Sequence, residues 1–333
     1  MGTTHVTAAK RHHFVPQFYL ERFAISGQVF VRRREGRPFV SSCLNVAVES
    51  GFYDYGMPDG TKSKAIEERL GKCETATASV LRSLDDTMTA PPRGSSDRDV
   101  LCEYLGLQMT RTPEERERTM FPELVARFLA GRELTRELMA QYLESDYLGF
   151  KPKPREVDGA FSYAYVALRS GFPFNPELVM DVMFESLEKV VPRLDALYWT
   201  IEEDRKSRLI SSDSPLVLWR APSIRDSYEG YGLDDCEEIR FPISPRAQLV
   251  LSKKQRPPNV RITSERSASC NADTALACHN FVFSSPRDRA CVEALYLRSK
   301  RPVQRFDLGP LIKEYPDGTR ETSEVIHMWV PRR

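Results

Sequence analysis

The residues best suited to chemistry begin near the N-terminus, in His12-His13-Phe14-Val15-Pro16-Gln17-Phe18-Tyr19-Leu20. Imidazole titrates near neutral pH and is a common metal ligand, so two histidines just ahead of a helix start suggest acid–base or metal-binding work. Gln17 lies one turn in, where its amide would orient a substrate or a water. The structural alternative is a histidine that caps the helix or stacks on the Phe and Tyr. Glu67 and Glu74 come next. Seven residues are two helical turns, so both carboxylates share a face, beside apolar Ile66, Leu70 and Cys73. Carboxylates so placed are metal ligands, partners for a buried arginine, or the edge of a solvated face. Gln108 and Arg111 are three apart on a later helix and face the same way. A guanidinium there either grips carboxylate or phosphate through paired bonds, or pairs with Glu67 or Glu74 across packed helices. Asp213, within Ser211-Ser212-Asp213-Ser214-Pro215, follows an apolar run. That is a place for a catalytic carboxylate or for an ordinary Asx-turn. Phe241-Pro-Ile-Ser-Pro245 reads as shape, with two prolines at a strand terminus.

Two functions from different classes fit these residues. The first is a hydrolase, a metal-dependent nuclease or phosphodiesterase. His13, Glu67, Glu74 and Asp213 would hold a divalent ion, Mg or Mn, or act as base. Arg111 would neutralise developing phosphate charge, and Gln17 or Gln108 would orient water. The second is a non-enzymatic binding or regulatory module of a bacterial defence or toxin-type system. There the same residues form a buried ion network joining a helical lobe to a sheet. Convergence on an open pocket favours the enzyme; pairing off inside a sealed interface favours the module.

Composition narrows the field. The chain has 333 residues, 41% of them hydrophobic, enough to bury a large core. Lys plus Arg total 48 against 47 Asp plus Glu, so a globally basic nucleic-acid binder is not indicated. Locally the balance differs. Between residues 10 and 37 stand Lys10, Arg11, Arg22, Arg32, Arg33, Arg34 and Arg37 against Glu21 and Glu35, a basic stretch able to meet nucleic acid or to be a solvated face. The seven cysteines are dispersed without a Cys-x-x-Cys pair and read as buried small hydrophobes. The sequence has neither a signal-peptide pattern nor a membrane-length apolar run, which leads us to expect a cytoplasmic protein with no membrane contact; a protein partner stays open. G-x-x-x-x-G-K-[ST], G-x-G-x-x-G, G-x-S-x-G and H-E-x-x-H are all absent.

The positioning elements follow from periodicity. A short helix begins at Pro16, and strand-like runs cover 28–32, 45–48 and 52–53. Apolar residues at three-to-four spacing from Ile66 to Leu84 predict a long helix, with further helices to about residue 193. From Asp195 the pattern turns to strands: 197–201, 208–210, 215–219, 239–241, 248–251 and 281–283, with helices at about 267–279 and 286–297. Residues 300–333 read as a return strand and a tail. The order predicts an α+β fold, with a mixed or antiparallel sheet built from N- and C-terminal strands and a helical lobe between them. The segments are 1–60, which joins the C-terminal sheet, 61–194, the helical lobe, and 195–333, the sheet-rich region.

These residues resemble the bacterial family known as domain of unknown function 4238. Its His-x-x-Pro-Gln-x-Tyr-Leu opening is matched by His13, Pro16, Gln17, Tyr19 and Leu20. Ile66, Glu67 and Glu74 match a helical pair. Gln108, Arg111 and Thr112 match a Gln-x-x-Arg-Thr step. Ser212, Asp213 and Pro215 match a strand end, and Pro242, Ser244 and Pro245 a turn. The resemblance runs from about residue 10 to 295. It implies a shared fold without an established activity, and supports treating His13, Glu67, Arg111 and Asp213 as one set.

Overall fold

The computed structural model describes residues 11–50, 65–170, 176–206, 208–221, 232–297, 303–315 and 318–329. The expected strand at Phe52-Tyr53 lies outside them, as does the side chain of Glu67. The chain opens with β1 (Arg11–His13), α1 (Gln17–Leu20), β2 (Gln28–Arg33), β3 (Phe39–Ser42) and β4 (Val48–Ser50). The helices α2 (Ala65–Thr87), α3 (Ser96–Thr110), α4 (Pro113–Leu129), α5 (Arg136–Tyr142), α6 (Pro154–Arg169) and α7 (Pro176–Asp195) follow. Then come β5 (Tyr198–Glu203), β6 (Ser211–Ser212), β7 (Val217–Trp219), β8 (Glu238–Ser244), β9 (Ala247–Ser252) and β10 (Asn259–Arg261). The chain closes with α8 (Ser264–Ala277), β11 (Phe281–Ser284), α9 (Arg289–Glu293), β12 (Arg305–Glu314) and β13 (Arg320–Trp329).

Local chemistry sets these boundaries. Ser95 caps α3 by accepting from the Arg98 amide, and Asp97 and Asp99 complement the dipole in its first turn. Thr263 caps α8 in the same way. In β8 and β9 one set of alternate positions is apolar: Ile239, Phe241 and Ile243, then Leu249 and Leu251, all fully buried.

The α+β architecture and the joining of N- and C-terminal strands are both present. β2 lies between β3 and β11, and β11 also pairs with β6, in a four-stranded antiparallel sheet ordered β3-β2-β11-β6. A five-stranded mixed sheet, ordered β10-β5-β9-β8-β7, is antiparallel except for the β10–β5 pair. β1 pairs with β4, so His13, just ahead of α1, lies in a strand. Arg208–Ile210 is not a strand. Asn271 occupies its backbone instead, accepting from the Ile210 amide at 3.2 Å and donating to the Arg208 carbonyl at 2.8 Å.

Two compact units divide the chain, and their bounds differ from the three sequence segments. The first comprises Met1–Pro113, Met180–Ile224 and Gly232–Arg301; the second comprises Glu114–Val179, Arg225–Tyr231 and Pro302–Arg333. The helix α3 belongs with the sheets through Arg98, which lies over the Trp199 ring of β5 and donates to Asp195 at 2.6 Å and to the Leu197 carbonyl at 2.7 Å, and α2 is held to α3 by the Arg111–Glu74 pair. Where a return strand and a tail are expected, two ten-residue strands pair as an antiparallel ribbon, β12–β13, in the second unit. An isolated two-stranded ribbon is marginal in water. This one is secured because Phe306 is buried in a core of Phe121, Val125, Met139, Tyr142, Ala160 and Ala164. Gly159 of α6 permits the close approach: a Cβ there would sit 2.7 Å from the Asp307 amide nitrogen.

Candidate functional site

Within the first unit the opening block acts as a keystone. Tyr19 on α1 is fully buried, stacked 5.1 Å from Phe241 of β8. Its hydroxyl donates to the Pro242 carbonyl at 2.6 Å and lies 2.7 Å from Ser211 Oγ, which donates to it. Burial pushes this phenol's pKa well up, so it stays protonated. Arg22, one turn on, donates to the Ile243 carbonyl at 2.6 Å and to Asp85 of α2 at 2.7 Å. Phe18 meets Tyr104 of α3 at 5.7 Å. The short helix α1 and the turn of Glu21–Phe23 that follows it thereby tie α2, α3, β6 and β8 together. The Phe241-to-Pro245 segment behaves as shape: Pro242 offers its carbonyl, and the β8–β9 register slips between Pro242 and Ser244.

The sequence-derived site residues fall into separate groups. Glu74, Gln108 and Arg111 come together. Arg111 Nη1 donates to Glu74 Oε1 at 2.9 Å, with the Arg111 side chain 1% exposed and that of Glu74 28%. With the Gln108 amide oxygen turned toward Arg111, it accepts from Nε at 2.9 Å and also from Nη2. The guanidinium carbon stands 6.0 Å from the Tyr104 ring, and the buried Tyr104 hydroxyl has no hydrogen-bond partner among the described residues. Glu67 lies two turns before Glu74 on α2.

The remaining residues bond elsewhere. Half-buried His13 has Nε2 3.2 Å from the Cys43 carbonyl, which only accepts, so that nitrogen carries the proton. Gln17 Nε2 donates to Glu21 Oε1 at 2.7 Å along the outer side of α1. Asp213 is neither an open carboxylate nor an Asx-turn. It is buried, and it accepts three backbone amides: His279 at 2.7 Å, Asn280 at 2.6 Å and Phe281 at 2.9 Å. These bonds staple the exit of β6 to the entry of β11. Burial pushes the Asp213 carboxyl up to about 6, against the amides and Arg34, which favour its ionised form. Among the described residues no group of three or more His, Cys, Asp or Glu side chains is placed to hold a metal ion.

Lys10 and the Arg11 side chain lie outside the described residues, and of the five other basic side chains in the stretch three bond internally. Arg22 bonds as above. Arg32 caps carbonyls at the end of α9, those of Val292 and Leu295 each at 2.6 Å, and Arg34 donates to the His279 carbonyl at 2.8 Å. Arg33 and Arg37 are exposed, the former over the Phe39 ring at 4.9 Å.

A polar cluster outside this set lies on one face of the five-stranded sheet. Fully buried Glu202 accepts from Gln248, Arg256 and Arg266, and Arg266 bridges on to Glu238 at 2.7 Å. Arg240 bonds Glu238 and Asp273 under the Trp219 ring. The signal was in the alternation: Thr200 and Glu202, or Glu238 and Arg240, are polar at every second position of otherwise apolar strands. Three guanidiniums face three carboxylates, so the cluster is balanced.

The model of the family described as Protein of unknown function (DUF4238) matches residues 11–288. The chain belongs to this family. The DUF4238 match takes in β1 to β11 and the candidate site residues His13, Gln17, Glu67, Glu74, Gln108, Arg111 and Asp213, whereas α9, β12 and β13 lie beyond it. No curated protein and no solved structure matches the chain. Among the described residues no helix is long and apolar enough to cross a membrane.

Proposed function

We propose that the protein is a non-enzymatic binding or regulatory module, in which the residues of the family pattern are the frame rather than the reaction centre. The observation that supports this most is the sealing of Arg111. A guanidinium that receives phosphate must present free N–H groups to solvent, yet this one is buried against Glu74 and Gln108. Asp213 adds to the reading, since both its oxygens accept backbone amides. The test is the thermal stability of Arg111→Ala with and without Glu74→Gln. A frame residue gives a large loss that the second change partly restores.

A hydrolase reading retains one supporting observation. The buried Tyr104 hydroxyl beside Arg111 has no hydrogen-bond partner among the described residues, and a catalytic role is one reason for a buried polar group to stand so. Its metal version draws on His13, Glu67, Glu74 and Asp213, and titration calorimetry with Mg and Mn tests it. Ion binding that His13→Ala abolishes would support the hydrolase; no heat with either ion removes the metal version.

A further inference from the structure

A second basic surface, invisible in the sequence, forms where four segments of the first unit end together. The turn after β5 carries Arg205, Lys206 and Arg208. The β8–β9 turn carries Arg246, β10 ends in Arg261, and the turn before α9 carries Arg287. Their proximity is evident in what they act on. Arg246 donates to Glu203 at 2.7 Å, and Arg261 lies 3.7 Å from the same carboxylate. The Arg246 bond holds the Glu203 carboxyl below its usual range, with Arg205 and Arg261 adding to the effect. Lys206 and Arg208 act on Glu265, and Arg208 and Arg287 on Asp288. Register explains the assembly: Arg261 pairs with Glu203 across β10 and β5, and Glu203 pairs with Ala247, next to Arg246.

Six basic side chains thus surround four acids, Glu203, Asp204, Glu265 and Asp288. The acids have local duties. Asp204 accepts from the Lys206 amide at 2.9 Å and the Arg208 amide at 3.3 Å, which folds the basic turn back on itself. Arg205, Lys206, Arg246, Arg261 and Arg287 are exposed. The capped N-terminus of α8, with the positive end of its dipole, lies in the same cluster through Glu265.

We propose that this surface contacts the phosphate backbone of a nucleic acid. Five of its six cations are arginines, whose planar forks suit phosphate oxygens. They come from four separate segments rather than a single pocket, which fits repeated phosphates better than one small anion. A membrane surface is disfavoured because, among the described residues, none of the exposed large hydrophobic side chains, such as Val40, Leu44, Phe150, Val166 and Tyr296, belongs to these segments. The inference stands on charge placement and holds for a module and for an enzyme alike.

The test is fluorescence anisotropy on the full chain, with a labelled DNA duplex and a labelled single-stranded RNA of about 20 units, starting at about 50 mM salt. The triple variant Arg205→Gln, Lys206→Gln, Arg287→Gln is compared with the control Arg33→Gln, Arg37→Gln; melting temperatures of both confirm folding. The expected result is binding to at least one probe that the triple variant weakens ten-fold or more and the control leaves within two-fold. The slope of log affinity against log salt should also fall by about 2–3, since each lost phosphate contact removes about 0.7–0.9. Absence of binding to both probes overturns the proposal. So does equal binding by the triple variant, or loss in the control instead. Binding to vesicles of anionic phospholipid but to neither nucleic acid would overturn it in favour of a membrane surface.

Discussion

Arg111→Ala is the perturbation with the largest calculable consequence. The guanidinium is 1% exposed and bonded to Glu74 and Gln108. Breaking a fully buried ion pair from one side costs about 3–5 kcal/mol, because the remaining charge is left without a partner. Glu74 is 28% exposed and recovers some hydration, which lowers the figure to roughly 2–4 kcal/mol. The loss of the arginine stem from its place beside Tyr104 works in the other direction. In a unit of more than 200 residues, each kcal/mol shifts the melting temperature by about 2–4 °C, so a fall of roughly 4–16 °C is expected. Calorimetric melting at pH 7 reads it. Adding Glu74→Gln removes the stranded charge and should recover about half the loss, whereas two independent sites would add. An Arg111→Ala protein melting within about 2 °C of wild type would refute the reasoning, since it would mean water reaches that site freely.

Two further outcomes follow from the same geometry. Tyr19→Phe removes the hydroxyl shared by Ser211 and the Pro242 carbonyl, leaving both in a dry place. The urea midpoint should fall by the equivalent of about 1–3 kcal/mol, and a change under about 0.5 kcal/mol would contradict the keystone role of α1. Asp213 gives a pH signature. Its carboxyl holds a proton up to about 6 in the folded chain against 3.8 for the free group, so the folded state binds the extra proton between those values. This contribution is fully present below 3.8 and is lost as pH rises through 6. The melting temperature of wild type relative to Asp213→Asn should therefore drop between pH 4 and pH 7; a constant or rising difference would mean that the amide bonds outweigh burial.

How much was legible depended on whether a signal was local. The α+β class was readable because the switch from three-to-four spacing to alternation near Asp195 needs no knowledge of partners. The joining of β2 to the C-terminal strands followed from a simple necessity: two or three N-terminal strands cannot bury a face alone. For Arg111 the sequence offered two readings, and the structure contains the pair with Glu74 that one of them names. What the sequence left unread was non-local. Nothing in Asp213 or its neighbours announces three amides sixty-odd residues away. Arg208–Ile210 has the residue types of a strand, yet a side chain of α8 replaced the ladder. The Glu202 to Arg266 cluster draws on β5, β8, β9, α8 and a loop, and only strand register brings those five segments together. The second basic surface is hidden for the same reason: a count along the chain favours Arg32 and Arg34, whose side chains bond internal carbonyls.

The central claim, that the residues of the family pattern hold the frame and do not carry a reaction, is tested most directly by nuclease turnover of the full chain in excess Mg or Mn. Labelled single- and double-stranded nucleic acid would be followed alongside Arg111→Lys, whose melting temperature is recorded in parallel. The expected result is no cleavage above the protein-free blank with either metal. Metal-dependent cleavage by the wild type that disappears in Arg111→Lys, while the variant melts where wild type does, would contradict the claim.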